Sequence, residues 1–203
     1  MSIRAEDPQG LQYDRRTILN VPNQLTTIRL ILAIVLFFLI AHEQYWWSTW
    51  LFIVAAGTDW IDGFWARRYN QVTTLGRILD PFVDKIIICG TFIFLAALSE
   101  KGSGLTPAMA VVVVGRELMV TALRSFLEQQ GADFSATLSG KLKMVLQCVA
   151  APVSLFTLWH VKDGIAQPAW LPPLLTISVW GAVLLTVLSG VAYVFAAIRL
   201  LRR

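Results

Sequence analysis

PLLTISVWGAVLLTVLSGVAYVFAAIRLL, residues Pro173 to Leu201, carries Arg199 as its single charge. A helix rises 1.5 Å per residue, so about 20 predominantly apolar residues cross a hydrocarbon core roughly 30 Å thick. This run exceeds that need, and others like it precede it. They extend from Leu25 to Ala41, Trp46 to about Trp65, Pro81 to Leu98, Leu105 to Leu127 and Met144 to Trp159. Of the 203 residues, 56% are hydrophobic and 15% charged, more apolar surface than a soluble core of this size can hide. The expected fold is an all-α integral membrane protein with six transmembrane helices.

Around these spans the chain shows no repeat, low-complexity tract or long linker, so residues 20–203 read as one six-helix membrane domain. Residues 1–19 form a polar segment whose second half, from Gly10 to Leu19, mixes basic and apolar positions as a short interfacial helix would. Pro22 is placed to open the first span. No cleaved leader is expected, since the first apolar run starts late and follows Glu6, Asp7 and Asp14.

Basic residues give the orientation, because they gather on the cytoplasmic side of short loops. Arg15 and Arg16 precede the first span, Arg67, Arg68 and Arg77 separate the second from the third, Lys141 and Lys143 precede the fifth, and Arg202 and Arg203 close the chain. The opposite loops carry only His42, Glu43, Glu100, Lys101, His160, Lys162 and Asp163. Both termini are therefore expected in the cytoplasm. The net charge of +4 reflects this asymmetry and attraction to anionic lipid, and no nucleic-acid partner is expected. Cys89 and Cys148 lack ligand spacing and read as buried thiols. Trp46, Trp47, Trp50, Trp159 and Trp170 read as interfacial anchors, and His42 and His160 as solvated.

Charges at membrane depth are costly and mark function. The second and third spans meet in DWIDGFWARRYNQVTTLGRILDPFVD, residues Asp59 to Asp84. Asp59 and Asp62 are three apart and Asp80 and Asp84 four apart, so each pair shares one face of its helix. Four carboxylates brought together repel and take up protons unless cations neutralise them. Oxygen-only donors select hard ions such as Mg²⁺, Mn²⁺ or Ca²⁺, and two such ions suit phosphoryl transfer. Gly63 and Gly76 permit close approach of backbone or phosphate beside the acids. Arg67 supplies a fork matched to phosphate oxygens.

The pattern of Asp59, Asp62, Gly63, Ala66, Arg67, Gly76, Asp80 and Asp84 resembles, without a departure, the signature of the CDP-alcohol phosphatidyltransferase family. The resemblance implies that the four aspartates hold a divalent metal centre of Mg²⁺ or Mn²⁺, in all two ions. It also implies that Asp84 is the general base and that Gly63, Ala66, Arg67 and Gly76 shape the site for the cytidine nucleotide and its diphosphate. Members are often homodimers, and a homodimer is expected on that ground.

Further blocks narrow the acceptor. Pro22 to Arg29, Arg116-Glu117-Leu118 with Arg124, and Ser139 to Lys143 with Gln147 are similar to the branch of the family that uses glycerol 3-phosphate. A phosphorylated acceptor needs a cationic site apart from the metals, and Arg116, Arg124, Lys141 and Lys143 flank one cytoplasmic connection. Arg29 could reach nucleotide or headgroup, or snorkel to the interface.

The expected reaction joins CDP-diacylglycerol from the bilayer to glycerol 3-phosphate, giving phosphatidylglycerophosphate and CMP, at the cytoplasmic face of a bacterial-type inner membrane. Rival readings are another acceptor (phosphatidylglycerol, serine or an inositol phosphate) or a divalent-cation transporter. Tags at both termini should report cytoplasm and a reporter near Lys162 and Asp163 the outside; a terminus found outside would reject the topology.

Overall fold

The protein is described by a computed structural model that covers the backbone of residues 21–69, 74–129 and 138–201, with the side-chain surroundings of residues 27–57, 85–127, 140 and 142–199. The interfacial helix expected within residues 1–19 lies outside the described residues.

Among the described residues the chain forms six α-helices and no strand: α1 (Val21–Ala41), α2 (Tyr45–Tyr69), α3 (Thr74–Ala97), α4 (Pro107–Gln129), α5 (Leu138–Lys162) and α6 (Leu171–Leu201). Every expected apolar run lies within a helix or overlaps one closely. The main difference is at the polar ends. Helix α3 begins at Thr74 rather than Pro81, and α5 at Leu138 rather than Met144. Hydropathy marks where hydrocarbon ends, whereas the i to i−4 ladder continues through polar residues as readily as apolar ones.

Helices α5 and α6 contain segments long and apolar enough to cross a membrane, Leu142–Lys162 and Leu171–Arg199, and shorter apolar segments occupy Thr27–Ala41 and Lys85–Ala97. Large apolar side chains point outward on all six helices. Phe38, Val54, Ile93, Val111, Val145 and Phe195 are each more than half exposed. Contiguous exposed apolar surface is rare on soluble monomers, and here it suits a hydrocarbon solvent.

The interior is made where helices approach closely. Helix α5 packs on α6 and α2, α1 on α3 and α2, and α4 on α6 and α3. Their contact faces bury Ala33 and Leu36 of α1, Phe52 of α2, Phe92 of α3, Val113 of α4, Ala151 and Leu155 of α5, and Ala182 of α6. Small residues at these seams let backbones come together, which is how helices gain packing energy when lipid and side chain are equally apolar.

At the opposite end from the acidic segment, short turns tie the helices. Ser103 Oγ donates to the Leu95 carbonyl at 2.6 Å, satisfying a group at the end of α3. Lys101 pairs with Glu43, and Lys162 Nζ donates to the Glu43 carbonyl oxygen at 2.8 Å. The hydrogen bond from Lys101 holds the Glu43 carboxyl below its usual pKa, so this pair adds stability above the ordinary carboxylate range and loses it as pH falls. The solvent-accessible position of both side chains keeps the contribution small.

Trp46 packs against Trp159 with the rings tilted, 4.6 Å between centroids, and meets Trp50 edge to face at 5.7 Å. They line a groove of about 680 Å³ with Phe156 and Trp170, and Trp47, Trp50 and Trp170 are half-exposed or more, as interfacial anchors would be. His160 departs from the expectation of a solvated ring. It is buried, with Nδ1 2.9 Å from the Phe156 carbonyl oxygen and the ring against Phe156 and Trp159. The reason is that α5 continues to Lys162, so His160 sits on a packed turn rather than in a loop. His42 is exposed as expected. Cys89 is buried and Cys148 half-buried, both as free thiols.

The α1–α3 seam is tightest at Gly90, where an added Cβ would lie 2.2 Å from Phe37 Cζ, itself stacked on Phe94 at 5.3 Å. Gly90→Leu should destabilise the protein by about 1–3 kcal/mol through overpacking, read as a lower thermal midpoint in detergent. Gly57→Ala, with open space beside it, should leave the midpoint almost unchanged.

Candidate active site

The acidic positions lie on continuous helix: Asp59 and Asp62 in α2, Asp80 and Asp84 in α3. The three- and four-residue spacings therefore remain one-face spacings in the folded chain. The side chains of these residues, and of Gly63, Ala66, Arg67, Gly76 and Lys141, lie outside the described residues. Among the described residues no group of three or more His, Cys, Asp or Glu could hold a metal. The helical carboxylate positions, an all-oxygen donor set, fit Mg²⁺ or Mn²⁺ by their chemistry.

Lys85, the residue after Asp84, belongs to a charged cluster inside the bundle. Glu117 of α4 is its centre. Lys85 Nζ on α3 donates to Glu117 Oε2 at 3.3 Å, Lys143 on α5 donates to Oε1, and Arg116 Nη1 donates to Oε1 at 3.3 Å. Arg116, Glu117 and Lys143 are buried, with 9%, 5% and 5% of their surfaces exposed, while Lys85 is partly open. Burying such charges is tolerable only when each is paired and hydrogen-bonded.

A polar stripe on α6 completes the cluster. Arg116 Nη2 donates to Ser189 Oγ at 2.9 Å, Gln147 Nε2 on α5 donates to Thr186 Oγ1 at 3.2 Å, and Arg124 Nη2 donates to the Tyr193 hydroxyl at 3.0 Å. The Tyr193 ring also faces both guanidiniums, 5.5 Å from Arg116 and 5.8 Å from Arg124, a geometry in which ring and cation attract. Gly190 leaves room for this arrangement, since a Cβ there would come within 3.0 Å of Arg116 Cγ. Arg116 Nε and Arg124 Nε are buried without a hydrogen-bond partner among the described residues.

Of the four cations read as an acceptor phosphate site, the structure brings Arg116 and Lys143 together at Glu117, and Arg116 and Arg124 together at Tyr193. Lys141 lies outside the described side chains. Arg29 is buried, which speaks against snorkelling to the interface. Sequence reasoning left Lys85 and Glu117 without roles and missed Ser189 and Tyr193. The signal was present for Glu117, a charge within an apolar helix. It was fainter for α6, where Thr186, Ser189 and Tyr193 recur at helical spacing in an otherwise apolar run.

Residues 19–195 match the family described as CDP-alcohol phosphatidyltransferase, and the chain belongs to that family. It is accordingly a transferase, which sets aside the cation-transporter reading. Particular relatives carry one name, CDP-diacylglycerol–glycerol-3-phosphate 3-phosphatidyltransferase. A Bacillus subtilis (strain 168) protein is 33% identical over 191 residues, covering 86% of this chain and 93% of that protein. An Escherichia coli (strain K12) protein is 36% identical over 155 residues, covering 72% and 84%. One from Pseudomonas fluorescens is 37% identical over 116 residues, covering 56% and 58%.

The Tyr193 ring is buried and its hydroxyl meets Arg124 near the partly open side of the cluster. Tyr193→Ala should cost about 3–5 kcal/mol of stability, as truncation of a buried aromatic does. Tyr193→Phe, which retains the ring, should cost at most about 1.5 kcal/mol. Thermal unfolding in detergent distinguishes the two; equal losses would mean that the hydroxyl, not the ring, holds the arginines.

Proposed function

We propose that this chain transfers the phosphatidyl group of CDP-diacylglycerol to glycerol 3-phosphate, releasing CMP and forming phosphatidylglycerophosphate. The names of the relatives support the reaction. The single structural observation that favours a phosphorylated acceptor is the set of buried Arg116 and Lys143 with the partly open Lys85, which among the described residues outnumbers the one carboxylate they share. A neutral polyol or zwitterionic serine would not call for that surplus of positive charge.

In this reading Asp59, Asp62, Asp80 and Asp84 would hold two Mg²⁺ or Mn²⁺ ions, which when bound would supply the charge neutralisation that the substrate diphosphate and the departing CMP need. Gly63, Ala66 and Gly76 let the cytidine nucleotide approach the backbone, and Arg67 orients its phosphate oxygens. The cationic cluster seats the phosphate of glycerol 3-phosphate and so fixes its C1 hydroxyl. Asp84, one residue before Lys85, takes the hydroxyl proton. The oxygen then attacks the phosphorus joined to diacylglycerol, the bond to the cytidylate oxygen breaks, and CMP departs. Holding both reactants in one orientation contributes much of the rate.

The six helices all span the bilayer in this proposal, with both termini and the acidic ends of α2 and α3 at the cytoplasm of a bacterial-type inner membrane, and two copies associate as a homodimer. CDP-diacylglycerol enters from lipid with its acyl chains left in the bilayer.

Purified protein given CDP-diacylglycerol and each acceptor in turn should form product with glycerol 3-phosphate, identified by mass. A product only with serine, inositol phosphate or phosphatidylglycerol would replace the acceptor. Chelation of divalent ions, Asp80→Asn or Asp84→Asn should each abolish turnover, and near-normal activity in either variant would remove that residue from the site. Arg124→Gln should lower kcat/KM for glycerol 3-phosphate about tenfold to hundredfold, the effect of losing a charge-assisted hydrogen bond.

A further inference from the structure

We propose that Glu117 is the positioning residue of the acceptor site, its buried carboxylate holding the Lys85 and Lys143 ammonium groups together where the acceptor phosphate docks. The inference rests on the acceptor reading above and deepens it.

Glu117 joins three helices, receiving Lys85 from α3, Lys143 from α5 and Arg116 from its own α4. A pairing that served stability alone would match one cation to one carboxylate, because each extra buried charge adds desolvation cost and like-charge repulsion. Among the described residues, three cations around one anion leave two positive charges in excess. A phosphomonoester carries roughly two negative charges at neutral pH, so its arrival would balance the cluster. Arg116 Nε, buried without a partner among the described residues, is a further donor in the same group.

The carboxylate is needed because lysines are long and strongly hydrated. Left alone, their ammonium groups would extend to water along flexible stems. By receiving Lys85 on one oxygen and Lys143 on the other, Glu117 fixes both in advance of the ligand. It also fixes α3 against α4 and α5 at the residue that follows Asp84, and so sets how far the acceptor phosphate docks from the proposed base.

Glu117→Gln retains the shape and removes the charge. Its KM for glycerol 3-phosphate should rise about tenfold or more, with KM for CDP-diacylglycerol changed less than about twofold. Combined with Lys143→Met, it should add less than it costs in the unmodified protein, since one of the two ammonium groups it holds is then already gone. An unchanged KM for glycerol 3-phosphate, an equal rise for both substrates, or additive losses in the double variant would overturn the proposal and leave Glu117 a packing element. If Lys143→Met itself left KM for glycerol 3-phosphate unchanged, the acceptor site would be elsewhere and this inference would fall with it. Should Glu117→Gln fail to accumulate in folded form, Glu117→Asp serves instead, keeping the charge but withdrawing it by one methylene. It should raise KM for glycerol 3-phosphate severalfold and spare that for CDP-diacylglycerol, and any other pattern overturns the proposal.

Discussion

A carboxylate enclosed by apolar helices costs several kcal/mol unless cations and donors surround it, and Glu117 imposes that constraint on four helices. Lys85, Arg116 and Lys143 meet it directly. Their own needs then pass outward: Arg116 to Ser189 and the Tyr193 ring, and Arg124 to the Tyr193 hydroxyl. The neighbouring contact of Gln147 with Thr186 ties α5 to α6. In an apolar bundle such polar contacts have few alternatives, so they select one register among packings that dispersion alone would leave nearly equivalent.

The two ends of the molecule are built on different physics. Away from the acidic segment, Trp46, Trp50, Trp159 and Trp170 gather around an apolar groove and short turns are tied by exposed pairs such as Glu43 with Lys101. The charges there lie in the exposed turns and not inside the bundle. Towards the other end, charged positions run along α2 and α3 and continue into the Glu117 cluster through the adjacent residues Asp84 and Lys85. The proposed transfer, on a charged headgroup attached to lipid tails, would use such a division, with apolar surface for the tails and buried charge for the phosphates.

The apolar runs were legible because hydrophobicity is a local property: a stretch such as Pro173–Leu201 must lie in an apolar setting wherever its neighbours are. The same holds for the aspartate spacings, since helical period alone places Asp59 with Asp62 and Asp80 with Asp84. Helix ends were less legible. Thr74 to Asp80 and Leu138 to Lys143 mix charged with apolar side chains while keeping the backbone ladder, and hydropathy does not register hydrogen bonds. His160 was misread for a related reason, as a polar side chain near a span end whose burial depends on what packs over it.

What the sequence determined by itself was the helical class, the acidic signature and membership in a phosphatidyltransferase family, because each is written in short stretches of chain. Tertiary structure alone decided that Lys85, Arg116 and Lys143 share one carboxylate, and that Arg116 and Arg124 share one tyrosine ring. Lys143 and Lys85 stand 26 and 32 residues from Glu117, and Arg124 stands 69 from Tyr193. Pairing across such distances is chosen by which helix faces meet, and that choice follows from the small residues at the seams and from the cost of leaving any buried charge alone.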